Sequence, residues 1–247
     1  MAFQTVFKRY ELKYLLSAAQ KGKVLAAMAP YMKPDSYGRT TIRNLYYDTA
    51  TYLLIRRSME KPAYKEKLRL RSYTQATDHS VVFVELKKKY QDVVYKRRLA
   101  LPVEDAMAWL SGEEHCNQHT QIAQEIDYVM GLYGSLHPAV FLSYEREAYY
   151  ANDGSDFRIT FDECILCRQK ELSLASEVYG TPILPEGKVL MEIKCNGGIP
   201  LWMTQVLSKE KIYKTSFSKY ATAYQTLIFP QTHKVNLYHM LEVTTNA

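Results

Sequence analysis

The sequence is short of the residues that mark several protein classes. Only 4 of its 247 residues are cysteine, and the one close pair, Cys164 and Cys167, has no second CxxC or CxxH at a zinc-like spacing. The surrounding segment FRITFDECILC alternates as a strand does, so we interpret these thiols as ordinary buried cysteines. Histidine is also scarce, with 6 scattered copies and no Ser-His-Asp or Cys-His arrangement. The sequence therefore indicates neither a zinc site nor a nucleophilic triad.

Long apolar runs are missing as well. No stretch approaches the roughly 20 apolar residues of a membrane-spanning helix. The chain also does not open with a charged segment followed by an apolar one, as a secretory signal does. We therefore expect a cytoplasmic protein whose thiols stay reduced.

Tyrosine, in contrast, is abundant, with 21 copies against 8 of phenylalanine. This is typical of strands with amphipathic faces. The formal net charge of +6 fits an anionic partner. The length suits one large domain, as all-β barrels often are. We assign residues 1–229 to that domain and residues 230–247 to a C-terminal tail, which is a candidate docking segment.

Strand-like alternation recurs in eight segments separated by polar, glycine-containing or proline-containing turns. These segments are 6–15, 42–48, 64–73, 80–90, 93–101, 140–150, 156–163 and 188–195. Helical patterns cover 17–29, 103–111, 118–133, 200–211 and a stretch after Ser218. We predict an α+β, mainly β fold, in which eight antiparallel strands form a closed barrel with helices packed outside it.

Most of the predicted strands place their basic side chains on one face. Residues two apart in a strand share a face, so Lys67, Arg69 and Arg71 lie opposite Leu68 and Leu70. The same reasoning collects eleven basic residues, namely Arg9, Lys13, Lys67, Arg69, Arg71, Lys87, Lys96, Arg98, Arg146, Arg158 and Lys194. Only four acidic residues accompany them, namely Glu11, Glu85, Asp162 and Glu192.

Any one of these faces is typical of the solvated side of an antiparallel sheet. Taken together they favour an interior, because cations on neighbouring strands repel each other unless an anion lies between them. About eight strands enclose a bore just wide enough for a slim ligand, and unpaired buried charge is very costly. Arginine and lysine both suit phosphate oxygens. The sequence therefore predicts a linear chain of phosphates as the ligand.

The acidic residues need a separate explanation, because phosphates repel carboxylates. Carboxylate oxygens combined with phosphate and water are the usual ligands of Mg²⁺ and Mn²⁺. Glu192 is our first choice as the ligand of such a divalent metal, and Glu11 is the second, with a salt bridge to a neighbouring cation as its alternative. Glu85 and Asp162 are expected to orient basic neighbours.

Nine motifs occur in order between about residues 5 and 225, namely FKRYELKYLL, RNLYYDT, LRLRSY, FVELKKK, YKRRLAL, SYEREAYY, FRITFD, VLMEIKC and TSFSKY. In this ordered set the chain resembles the VTC domain, the polyphosphate-polymerase branch of the triphosphate tunnel metalloenzymes. The resemblance implies an eight-stranded tunnel around a nucleotide triphosphate and a growing polyphosphate. It places the metal-binding glutamate at Glu192 and the basic tunnel residues at Lys13, Arg69, Arg71, Lys87, Lys96, Arg146, Arg158 and Lys219.

One departure from the wider superfamily separates polymerase from hydrolase. Hydrolytic members resembling thiamine triphosphatase or class IV adenylate cyclase open with ExExK, whereas this chain has Arg9-Tyr-Glu11-Leu-Lys13. A cation replaces the first acid, which implies a weaker metal cluster and a stronger affinity for anions. The resemblance therefore implies a polymerase and leaves a second metal open.

These observations predict transfer of the γ-phosphate of a nucleoside triphosphate, taken to be ATP, to the end of a polyphosphate chain. The acceptor phosphate is already ionised, so no general base is required. We expect catalytic roles for Lys13, Arg69, Arg71, Arg146 and Lys219. Substrate-binding roles are expected for Arg9, Lys67, Lys87, Lys96, Arg98, Arg158, Lys194 and Ser218.

Two alternative functions stay open, and a third is disfavoured. A tunnel triphosphatase uses the same fold with a water molecule, and a non-catalytic polyphosphate-binding domain needs only the cations. A nucleic-acid binder is disfavoured, because we expect most aromatic residues on the face opposite the cations. Resemblance to eukaryotic relatives suggests a membrane-protein partner, which would hold the domain at the inner face of a membrane. The oligomeric state is left open.

Overall fold

The structure is a computed structural model that describes residues 6–91 and 93–231, with backbone alone for residues 6–9. Its strands are β1 (Val6–Ser17), β2 (Met32–Pro34), β3 (Thr40–Asp48), β4 (Tyr64–Ser72), β5 (Val81–Tyr90), β6 (Val93–Pro102), β7 (His137–Ala151), β8 (Arg158–Arg168), β9 (Thr181–Pro182), β10 (Lys188–Cys195) and β11 (Lys214–Thr215). Its helices are α1 (Ala18–Met28), α2 (Leu53–Met59), α3 (Val103–Ser111), α4 (Gln121–Tyr133), α5 (Leu201–Lys209) and α6 (Lys219–Ala223), the last continuing into a π-helical turn at Tyr224–Ile228.

The predicted α+β, mainly β class is confirmed, and every predicted strand segment contains a strand. The described residues form eleven strands, however, rather than the expected eight. The three additional strands, β2, β9 and β11, are only two or three residues long, which is too short to show alternation. Helix α2 was also missed, because its seven residues give less than two turns of periodicity.

One antiparallel sheet contains all the strands. Its order is β2-β7-β3-β4-β5-β6-β1-β10-β8-β9, and β11 pairs with β1. A further ladder joins β7 to β8, from Phe141 opposite Arg168 to Tyr150 opposite Arg158. Strand β8 therefore pairs with β10 and also with β7, which lies near the other end of the strand order. The closed barrel of eight strands stays a prediction.

The apolar face of the sheet packs against the helices. Trp109 of α3 and Ile126 of α4 lie with Leu86 of β5 in one fully buried cluster. Met28 of α1 and Met203 of α5 belong to a second cluster that covers β1, β8 and β10. A third cluster joins α6 and the π-helical turn to β3 and β7, but it lies on the other face, since it includes Tyr46, which pairs with Arg69. Helices α1, α3, α4 and α5 cover the apolar face, so the basic side chains of the strands lie on the opposite face, called here the charged face.

Helix boundaries follow local capping. The Ser17 hydroxyl accepts a hydrogen bond from the Gln20 backbone N–H, while the Gln20 side chain accepts one from the Ser17 N–H. This capping box lets β1 pass directly into α1. No helix in the described ranges combines the length and the apolar character that crossing a membrane requires. The predicted tail lies outside the described residues from position 232 onward.

Candidate functional site

A buried glutamate on β5 joins three neighbouring strands on the charged face. The Glu85 side chain has no exposed surface, and the register places it between Arg69 of β4 and Arg98 of β6. Arg69 donates to Oε2 from Nη2 at 2.7 Å, and Arg98 donates to Oε1 from Nε at 2.8 Å. The Lys96 ammonium lies 2.6 Å from Glu85, and Arg71 lies 3.7 Å from it. These five residues are called the Glu85 cluster.

A second cluster forms around Glu192 of β10. Lys194 and Lys219 lie 3.1 Å from its carboxylate, Arg146 at 3.6 Å and Lys13 at 3.7 Å. The neighbouring carboxylate of Asp162, which is fully buried, accepts two hydrogen bonds of 2.6 Å from Arg146. Lys219 lies 2.5 Å from Asp162 as well. These residues, called the Glu192 cluster, bring together β1, β7, β8, β10 and α6.

Several contacts reach past an intervening strand. Lys87 of β5 lies 2.5 Å from Glu11 of β1, although β6 separates these strands in the sheet. Arg71 of β4 donates to the hydroxyl of Tyr144 on β7 at 3.0 Å, past β3. Such contacts require a strongly curved sheet whose charged face is concave. The two clusters therefore face a common interior.

The segment before α6 contacts this interior from one side. Lys67 donates to the Ser218 hydroxyl at 2.9 Å, and Lys13 donates to the Phe217 carbonyl at 2.6 Å. The same Ser218 hydroxyl accepts from the Ala221 N–H and caps α6. Two basic side chains from different strands thus fix the loop that presents Lys219, a position that strand periodicity by itself does not single out.

Tyr220 fixes the other side of this segment. Its hydroxyl donates to the buried Asp48 carboxylate at 2.8 Å, and its ring stacks on Tyr46 at a centroid distance of 4.8 Å. Asp48 also accepts the backbone N–H groups of Leu54 and Ile55 at the start of α2. Burial raises the pKa of Asp48 despite these donors. The motif RNLYYDT therefore acts through Asp48 as a support for α6, a role that the sequence analysis did not assign.

The carboxylates of the site are held ionised by their basic neighbours. Burial by itself would raise the pKa of Glu11, but Lys87 and the nearby lysines lower it to about 2. For Glu85, burial is likewise outweighed, and Arg71, Lys96 and Arg69 hold its pKa well below the usual value. The pKa of Glu192 is also held well below its usual value, by Lys219 and Lys194 acting against burial. All three side chains are therefore negatively charged near neutral pH.

Two lysines of the charged face have a lowered pKa, because burial disfavours their charged form. Burial lowers the pKa of Lys194 to about 7, although Glu192 opposes the shift. Burial also brings the pKa of Lys67 well below its usual value, and the positive charges of Lys13 and Lys87 lower it further. Eleven basic side chains of the charged face converge with the four acids, namely Lys13, Lys67, Arg69, Arg71, Lys87, Lys96, Arg98, Arg146, Arg158, Lys194 and Lys219. Such an excess of buried positive charge is suited to an anion.

Binding of inorganic tripolyphosphate is expected to take up protons. The pKa of free Lys67 is depressed, so above that pKa the side chain is neutral, and a bound anion raises the pKa and protonates it. Affinity should therefore fall as pH rises through the alkaline range. Calorimetry in buffers of different ionisation enthalpy measures the uptake, and Lys67→Met should reduce it. A binding enthalpy that is independent of the buffer would contradict this expectation.

The structure brings the predicted site residues together, except for Arg9, whose side chain is not among those it describes. Lys13, Lys67, Lys87, Lys194, Ser218 and the members of both clusters converge as described above. Arg158 lies next to Lys194 in the β8–β10 ladder, with its guanidinium carbon 4.3 Å from the centre of the Tyr150 ring. Glu85 and Asp162 orient basic neighbours, as expected.

We expected most aromatic residues on the face opposite the cations, but the charged face also carries several tyrosines. Tyr46 accepts a hydrogen bond from Arg69 at 2.8 Å, and Arg146 lies 5.0 Å from the centre of the Tyr144 ring. Tyr73 accepts a hydrogen bond from Arg98 at 2.7 Å. Tyrosine fits a basic interior because its hydroxyl accepts hydrogen bonds and its ring face attracts cations. The period-two rule already places Tyr144 with Arg146 and Tyr73 with Arg71, so the signal was available.

Comparison with known proteins agrees with this architecture. The family model described as the VTC domain matches residues 8–228. A candidate adenylate cyclase from Bacillus halodurans has 14% identity and a TM-score of 0.55, over 91% of this chain and 100% of that one. A candidate adenylyl cyclase from Hippeastrum, described as having a dominant triphosphatase activity, has 15% identity and a TM-score of 0.52, over 88% of this chain and 95% of that one. The search of curated proteins found no match.

Proposed function

Because the chain belongs to the VTC domain family, we propose that it is a polyphosphate polymerase that transfers the γ-phosphate of ATP to a growing polyphosphate chain. The carrying observation is the concave face on which eleven basic side chains converge with only four acids. The excess positive charge fits several linked phosphates better than one carboxylate or one metal ion. The arginines match phosphate oxygens through their paired donors.

We also propose that eight of the strands enclose a tunnel. The ladder between β7 and β8 links the two arms of the path β7-β3-β4-β5-β6-β1-β10-β8. Contacts such as Lys87 with Glu11 span the interior that this ring of pairings surrounds. A barrel of this size leaves room for side chains and a slim ligand, so the phosphates would thread it in single file.

A divalent metal fits this site only in combination with phosphates. Glu11 and Glu192 are diagonal neighbours on paired strands, since Glu11 lies opposite Lys194 and Lys13 lies opposite Glu192. No group of three or more His, Cys, Asp or Glu side chains in the described residues is placed to hold a metal ion. One or two carboxylates plus phosphate oxygens are the usual ligands of Mg²⁺, and Mn²⁺ accepts the same oxygen donors. Glu192, with Glu11 as a second donor, would hold the ion, which would offset negative charge on the phosphates.

The residues of the two clusters would align and stabilise the reacting phosphates. Lys13, Arg69, Arg71, Arg146 and Lys219 would grip the γ-phosphate of the donor, while Lys67, Lys87 and Lys96 bind neighbouring phosphates. As the bond between the γ-phosphorus and its bridging oxygen breaks, that oxygen's charge stays on the departing diphosphate. An oxygen of the terminal phosphate of the chain forms the new bond. Phosphoryl transfer asks a protein chiefly for such alignment and charge stabilisation.

A tunnel triphosphatase is the second candidate function. The described activity of the Hippeastrum protein favours it, since that chain shares the fold. The replacement of the first acid of ExExK by Arg9 favours the polymerase instead. The membrane-protein partner and the position at the inner face of a membrane remain proposals that rest on family resemblance.

Supplying ATP with Mn²⁺ should separate the two functions. The polymerase is expected to convert ATP to ADP and polyphosphate, which gel electrophoresis detects as a ladder of long chains. A triphosphatase would release inorganic phosphate without such a ladder. Neither product, together with tight binding of tripolyphosphate, would identify a non-catalytic binding domain instead.

A further inference from the structure

The charged face changes its composition from one end of the strands to the other. On β4 its side chains follow the order Lys65, Lys67, Arg69, Arg71 and then Tyr73, directly after the strand. On β5 the order runs in the opposite chain direction, from Phe83 through Glu85 and Lys87 to Lys89. One end, called the lysine end, carries Lys65, Lys67, Lys87 and Lys89. The other, called the aromatic end, carries Tyr73, Phe83, Arg98, Tyr150 and Arg158.

At the aromatic end an arginine packs against two rings. The guanidinium carbon of Arg98 lies 4.4 Å from the centre of the Phe83 ring and 5.7 Å from that of Tyr73. Arg98 also donates to the Tyr73 hydroxyl at 2.7 Å, which fixes the orientation of the ring. Phe83 is buried, whereas Tyr73 has 37% of its surface exposed. A fixed and accessible ring next to a guanidinium plane is a surface on which a nucleobase stacks.

A second tyrosine–arginine pair occupies the same end. Tyr150 has 38% of its surface exposed, and Arg158 lies over its ring at 4.3 Å. The strand registers place the two pairs at one end. Ser72, next to Tyr73, pairs with Arg43 of β3, and the start of β3 lies beside the part of β7 that leads to Tyr150.

The lysine end has the opposite character. Lys67 lies directly opposite Lys87, and Lys65 lies directly opposite Lys89. Like charges in such positions repel each other. Burial lowers the pKa of Lys65, and the charges of Lys89 and Lys61 lower it further. Glu11 offsets part of this charge through its contact with Lys87. An extended polyanion would offset more of it, whereas an uncharged base would not.

We propose that the donor nucleotide binds in one direction only, with its base at the aromatic end and its phosphates pointing toward the lysine end. The growing polyphosphate then extends through the lysine end. This inference rests on the proposed function. It adds the side chains that recognise the nucleoside, namely Tyr73 with Arg98 and Tyr150 with Arg158. It also adds Lys65 as a contact for the chain.

Calorimetric titration of the tyrosine variants tests the aromatic end. The two probes are the non-hydrolysable β,γ-imido analogue of ATP and inorganic tripolyphosphate, which has no base. Tyr73→Ala or Tyr150→Ala is expected to weaken binding of the analogue by roughly 5- to 100-fold, the range that base stacking supplies. Binding of tripolyphosphate should weaken much less, so the readout is the ratio of the two affinities. Tyr128→Ala, at a 68% exposed tyrosine of α4, is the matched control and should change neither.

Lys65→Ala tests the direction of the phosphates. It is expected to weaken binding of long-chain polyphosphate more than binding of the ATP analogue. The inference is overturned if both tyrosine variants lose as much affinity for tripolyphosphate as for the ATP analogue. It is also overturned if they lose affinity for neither ligand. A larger effect of Lys65→Ala on the analogue than on polyphosphate would overturn it too. If the parent protein binds neither tripolyphosphate nor the analogue, the proposed function itself fails, which is a different outcome. Tyr73→Phe keeps the ring if the alanine variant fails to fold, and it should retain the affinity ratio of the parent.

Discussion

Replacing Lys219 with methionine is expected to lower the rate of phosphoryl transfer by roughly 10²- to 10³-fold, the scale of losing one charge-stabilising donor. Lys219 contacts both acids of the Glu192 cluster, Glu192 at 3.1 Å and Asp162 at 2.5 Å. The charges of these two acids outweigh burial and raise its pKa, so it stays protonated throughout the neutral range. Steady-state formation of ADP from ATP measures the effect, which should appear mainly in kcat.

Lys21 provides a matched control for this change. It also has two carboxylate partners, Glu163 at 2.9 Å and Glu147 at 3.1 Å, but it lies on the outer side of the sheet over the Phe161 ring. Lys21→Met therefore removes a lysine with similar ion pairs and should leave kcat within about threefold, since such pairs are worth about 1 kcal/mol or less. Similar losses in the two variants would show that Lys219 acts through folding alone.

Glu85→Gln is expected to destabilise the protein by about 3–5 kcal/mol, because a lost buried charge leaves its partners uncompensated. Arg69, Lys96 and Arg98 all lie within 2.7 Å of the Glu85 carboxylate. Their mutual repulsion would then act across three neighbouring strands. Denaturant unfolding measures the loss of free energy, with the midpoint decreasing and the slope unchanged.

Tripolyphosphate should partly restore the stability of this variant, because a ligand that binds only the folded state stabilises it by mass action. Glu125→Gln is the control. Glu125 accepts hydrogen bonds from Lys88 at 2.9 Å and Arg97 at 3.1 Å on the helix-covered side, with a partly exposed side chain. Removing the charge of Glu125 should lower the free energy of unfolding by less than about 1 kcal/mol. If both variants lose the same free energy of unfolding, the dense clustering of cations around Glu85 has no special effect on stability.

Strand periodicity located the site residues because it depends only on local geometry. Lys67, Arg69 and Arg71 alternate with leucines in the sequence, and the period of two assigns them to one face in any β-sheet. The same rule applied to Tyr73 and Tyr144 would have placed them with the cations. In both places the tyrosine hydroxyl accepts a hydrogen bond from an arginine, which explains why tyrosine is stable among the cations.

The amino-acid sequence by itself determined the strands, their two faces and the excess of cations over acids, because each follows from spacing along the chain. Only the tertiary structure decided which charges meet. Glu11 and Lys87 are 76 residues apart, and Asp48 and Tyr220 are 172 apart, yet both pairs are in contact. Such contacts depend on the curvature of the sheet and on where α6 docks. Both are set by the packing of many side chains at once, and no local pattern encodes them.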